Sequence, residues 1–95
     1  QKSQMRGIAD IQLERLRGRL AEREIGLRVE DDALDQLVNI GYDPVFGARP
    51  LKRAIQSALE NPLAQSILSG EFKAGDTIVV SKDNDHLSFD KMKLN

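Results

Sequence analysis

Apolar residues recur along the first quarter of the chain with the period of a helix. Met5, Ala9, Leu13, Leu16 and Leu20 are spaced four, four, three and four residues apart, which lines one face of an amphipathic helix over residues 4–24. Ile8 and Ile11 flank that stripe and widen it, while Asp10, Glu14, Arg15, Arg17, Glu22 and Arg23 occupy the other side. The width leaves two readings: ordinary core packing, or contact with something outside this domain. The pattern then changes period. Ile25, Leu27 and Val29 alternate with Gly26, Arg28 and Glu30, which predicts a short strand with one buried face.

A second helix follows from Glu30-Asp31-Asp32, with Asp31 as the capping candidate. Its inner face is Ala33, Leu34, Leu37, Val38 and Ile40. Gly41 is placed for a left-handed residue after the helix end, and Pro44 follows it. A third helix opens at Pro50 and carries Leu51, Ala54, Ile55, Ala58 and Leu59 at i, i+3, i+4, i+7 and i+8. Asn61-Pro62 predicts a break or sharp kink, with a new helical piece over 62–69 that buries Leu63, Ile67 and Leu68 and ends at Gly70. Alternation over Thr77–Lys82 and His86–Met92, joined by Asp83-Asn84-Asp85, reads as a hairpin. The expected class is α+β: three to four helices covering one face of a sheet of about three strands, in one domain over 1–95.

Composition narrows the function classes. The chain has 95 residues, 40% of them hydrophobic, with one Tyr, three Phe and no Trp. Its net charge of −1 and lack of stacking aromatics argue against a nucleic-acid surface. No cysteine is present, so disulfides and thiolate metal sites are excluded. No apolar run approaches the ~18 residues of a membrane span. The start at Gln1 rather than Met gives the expectation of a piece excised from a longer protein.

Candidate chemistry concentrates between the second and third helices. Arg49 stands immediately before Pro50, at a helix start whose N–H donors and partial positive charge favour anions. A guanidinium there gains nothing from the dipole. It either points into water or joins the exposed amides in an anion site with a five-donor fork. Lys52 and Arg53 extend the cationic stretch. The pair Asp31-Asp32 could mimic a metal or acid–base site, but adjacent helical residues point apart and capping is the better account. The lone His86 abuts a turn and reads as a surface residue. There is no P-loop, no G-x-S-x-G and no Cys/His pair, so no catalytic residue and no metal ligand is assigned.

The block Gly41-Tyr42-Asp43-Pro44-Val45-Phe46-Gly47-Ala48-Arg49-Pro50-Leu51-Lys52-Arg53-Ala54-Ile55-Gln56 resembles the sensor 2 region of Clp-family AAA+ unfoldases. Glu60-Asn61-Pro62-Leu63-Ala64, Ile67-Leu68-Ser69-Gly70 and the Ile11–Leu16 segment extend the likeness over nearly all 95 residues. It is strongest to the C-terminal small (lid) domain of the second ATPase module in ClpB-type disaggregase chaperones.

The resemblance implies a hexameric, stress-response ATPase of the bacterial cytoplasm that threads aggregated polypeptide through its pore. It also implies that the P-loop and the magnesium ligands lie elsewhere, so this fragment alone hydrolyses no ATP. By the same resemblance Arg49 is the sensor 2 arginine, contacting the β- or γ-phosphate of ATP or ADP across an interdomain cleft. Gly47 and Ala48 complete the Gly-Ala-Arg motif, with Ala48 near adenine and ribose. Implied partners are the large AAA+ subdomain of the same chain, neighbouring subunits, unfolded or aggregated proteins and an Hsp70-type chaperone. In the family the small domain packs on the next subunit, which would give the wide stripe of the first helix a role. The rival readings are a stand-alone interaction adaptor, a nucleic-acid-binding lid, and the equivalent lid of a protease-partner Clp unfoldase.

Overall fold

In a computed structural model, the described residues are 2–42, 45 and 49–92, without the side chains of Lys2, Ser3 and Arg49. The elements run α1 (Lys2–Ala21), β1 (Gly26–Val29), α2 (Asp31–Gly41), α3 (Arg49–Ile55), a π-helical turn (Gln56–Glu60), α4 (Asn61–Leu68), β2 (Thr77–Asp83) and β3 (His86–Lys91). The sheet order is β1-β2-β3. β1 pairs parallel to β2 with Leu27 opposite Ile78, and β2 pairs antiparallel to β3 with Val80 opposite Phe89. The parallel pair requires the helices between β1 and β2 to form the crossover, which lays them on the sheet and closes the expected α+β architecture.

The core is one cluster. Leu13, Leu37, Leu51, Ile55, Leu59, Leu63, Ile78 and Val80 are its most enclosed members, one or more from every element except β1 and β3. Each such side chain is worth roughly 1.5–3 kcal/mol in burial. The ion pair of Arg6 with Asp35, and its 3.5 Å approach to Asp31, join α1 to α2 at the surface. Exposed pairs of this kind are worth about 1 kcal/mol or less. Apolar burial therefore holds α1 on α2, with the surface charges a minor addition.

Several local expectations are corrected. α1 ends at Ala21 rather than at residue 24. The Ile25 N–H bonds back to the Leu20 carbonyl and the Glu24 N–H to the Ala21 carbonyl, with Glu24 at φ 62°. This is the helix-stopping pattern that usually takes glycine, with buried Leu20 and Ile25 supplying its apolar contact. Gly70, at φ 87°, ends α4 by the same pair of bonds, from Gly70 to Ile67 and from Glu71 to Ser66.

Asp31 is not a cap. The cap position is Glu30, which makes no side-chain cap bond. The two aspartates diverge, Asp31 toward Arg6 and Asp32 toward the Lys82 N–H at 3.2 Å. Ile40 and Leu68 are exposed, at 47% and 82%, rather than inward.

Asn61-Pro62 does not break the helix. Glu60 and Asn61 keep helical angles, and the Asn61 N–H reaches the Gln56 carbonyl five residues back. In a regular helix the Pro62 ring would strike the Ala58 carbonyl. The wider π turn moves that carbonyl aside, and the chain stays helical to Leu68.

Gly41 is likewise not a left-handed residue after the helix. It is the buried last residue of α2, and a Cβ on it would lie 2.6 Å from the Leu51 Cα. Backbone cannot yield as a side-chain tip can, so Gly41→Ala should cost about 2–3 kcal/mol, the upper range for overpacking. Gly7, with nothing within 4 Å of its Cβ position, should respond with opposite sign. Gly7→Ala is expected to stabilise by up to about 1 kcal/mol. Denaturant unfolding of the two variants checks this, and a common sign for both would refute the close-approach account.

Candidate functional site

The candidate site is the junction from the end of α2 to the start of α3. Gly41 and Leu51 place two helix backbones in direct contact. Leu51 is fully buried, so the first turn of α3 is fixed in the core rather than suspended on a loop. Arg49, two residues ahead of Leu51, begins α3. Pro50 follows it within the first turn, where a missing N–H costs nothing.

Gly47, Ala48 and the Arg49 side chain lie outside the described residues. The backbone nevertheless locates Arg49 at the mouth of a helical segment that continues through the π turn to Leu68. No acidic residue stands in the first turn of α3, and Lys52 and Arg53 are exposed in its last turn. From Pro44 to Leu59 the sequence contains no carboxylate. This stretch therefore supplies a positive end and no built-in anion to neutralise it.

Exposed apolar residues border the junction on the α2 side, with Tyr42 39% and Val45 81% exposed. Farther away, on α1, Ile8 is 42% and Ile11 56% exposed. The stripe of α1 thus divides: Met5, Ala9, Leu13, Leu16 and Leu20 enter the core, and the two isoleucines that widen it do not. Among the described residues no three metal-ligating side chains converge, and no helix is long and apolar enough to cross a membrane. His86 is exposed at the start of β3.

Two features that position the site escaped the sequence reading. The first is the Gly41–Leu51 contact. A glycine near a helix end signals equally a left-handed stop or a close approach, and only the neighbouring helix decides. The second is the 3.4 Å bridge between Arg19 of α1 and Glu60 of the π turn, which ties α1 to the rod that α3 begins. Regular helical spacing gives no sign of it.

Comparison with known proteins accords with this geometry. The family model described as the C-terminal, D2-small domain of ClpB protein matches residues 1–80. "Chaperone protein ClpB 2" of Nostoc sp. is 56% identical over 93 residues, covering 98% of this chain and 11% of the relative. "Chaperone protein ClpB" of Dichelobacter nodosus is 57% identical over 88 residues, covering 93% of this chain and 10% of the relative. The same-named protein of Vibrio cholerae is 60% identical over 77 residues, covering 81% and 9%. The chain spans about a tenth of the length of these curated relatives. A match of this extent and identity shows the family: the chain belongs to the ClpB D2-small family, the C-terminal small domain of that chaperone.

Proposed function

We propose that this domain is the lid of an ATP-driven protein disaggregase, and that Arg49 reports the state of a nucleotide held by a neighbouring large domain. The observation that carries the reading is the placement of Arg49 at the head of α3, pinned by Gly41 against Leu51 in a stretch without carboxylates. The family membership supports it, since the relatives are named chaperones. A guanidinium fixed at a helix start can donate to phosphate oxygens in charge-assisted bonds. Loss of the γ-phosphate removes part of that attraction and lets the lid move relative to its partner domain.

In this reading Gly47 and Ala48 let the backbone approach the nucleoside. ATP or ADP is bound with magnesium whose ligands lie outside this chain, and the chain alone hydrolyses nothing. The remaining partners follow from the same reading: neighbouring subunits of a hexamer, unfolded or aggregated polypeptide, and an Hsp70-type chaperone in the bacterial cytoplasm. The exposed Ile8 and Ile11 on α1 supply an apolar surface for a neighbouring subunit.

Two experiments test this. Arg49→Ala in the full-length protein should lower nucleotide affinity or turnover of the second ring by about 10–100-fold, the equivalent of the ~1.5–3 kcal/mol of a hydrogen bond to a charged group. The domain's melting should be unchanged. Unaltered affinity and turnover would refute the role of Arg49. Separately, Ile8→Glu with Ile11→Glu in the full-length protein should shift sedimentation toward smaller species at low nucleotide. An unchanged profile would remove α1 from the ring contact.

A further inference from the structure

Along one side of the molecule α1 lies against α3, the π turn and α4, and the seam between them is open. Near the α4 end it forms a cavity of about 340 Å³, floored by Leu16, Leu20, Leu63 and Ile67, with Leu68 on its wall. Leu68 is 82% exposed, the most exposed large hydrophobic residue among those described. Toward α3 the seam continues as a polar groove of about 580 Å³, where Gly18 leaves the α1 backbone bare. The Arg19–Glu60 bridge stands between the two and lines both.

The charge along this seam is opposite to that of the chain. Arg15, Arg19, Arg23 and Lys52 line it against only Glu22 and Glu60, on a chain whose net charge is −1. Arg19 and Glu60 neutralise one another. Among the described residues Arg15, Arg23 and Lys52 make no ion pair. The seam thus offers an apolar slot at one end and uncompensated cations at the slot's rim and along the groove. From Gln12 to Ala21 the helical rise gives a length of about 14 Å, which matches a helix of about 10 residues.

We infer that this seam is a docking groove for an acidic amphipathic segment of a partner protein. Apolar side chains at i, i+3 or i+4 would enter the slot beside Leu68, and carboxylates would meet Arg23 at the rim and Arg15 and Lys52 in the groove. The proposal does not depend on the role of Arg49, and of these residues only Lys52 also belongs to the cationic stretch of α3.

The test is a display selection of random peptides of about 16 residues, long enough for the helix and its ends. The target is the full-length protein, with counter-selection against the same protein carrying Leu68→Glu and Arg23→Glu. Both positions are at the surface, and unchanged melting and ATPase activity of the double variant verify that it is intact. If that variant fails to fold, Arg15→Ala with Lys52→Ala takes its place in the counter-selection. The expected result is enriched peptides pairing large apolar residues at helical spacing with Asp or Glu. Affinity should fall by about tenfold or more on either groove substitution, as for an anchor residue, and should weaken with added salt. No groove-dependent enrichment, or an enriched set that is basic or lacks apolar anchors, would overturn the proposal.

Discussion

At Gly41 the backbone of α2 lies directly against that of α3, and the arrangement of the candidate site depends on that contact. Gly41 permits what no other residue permits at that position, because the α-carbon of Leu51 occupies the space of a side chain. Once these helices touch there, Leu51 enters the core and the backbone of Arg49 is fixed at the start of the same turn. A looser contact would leave the head of α3 to drift, and a residue expected to sense a phosphate must be placed within a fraction of an ångström.

The second constraint is Pro62. It forbids a regular turn over the preceding residues, and the chain answers with five residues of π helix instead of a break. One consequence is continuity: α3 and α4 remain a single rod from the head of the candidate site to Leu68. The same turn carries Glu60, whose bridge to Arg19 divides the α1 seam into an apolar and a polar part. The junction and the seam therefore lie on the same rod, one at its head and the other along its flank.

Much of this was legible in the sequence, and the limits of legibility are physical. The helical period of about 3.6 residues and the strand period of about two survive as patterns because each helix and strand buries one face: the α1 stripe, the Ile25-Leu27-Val29 alternation and the hairpin all reappear. Element ends were harder to place. Glu24 takes a left-handed conformation without being glycine, while Gly41 stays helical, so residue type pointed the wrong way at both helix ends. Leu68 continues the apolar pattern of α4 yet faces out, because α4 ends before anything covers it. Of the candidate site, the backbone position of Arg49 was readable from Arg-Pro at a helix start, whereas the tie that fixes it required the fold.

The central claim is that the fold delivers the Arg49 guanidinium to a phosphate on another domain. The most direct measurement is a structure of the full-length protein with a slowly hydrolysed ATP analogue in the second ring, read for the distance from the guanidinium nitrogens to the β- and γ-phosphate oxygens. The account predicts charge-assisted hydrogen bonds of about 2.7–2.9 Å. A guanidinium turned into its own domain and paired there with a carboxylate, away from the nucleotide, would contradict it.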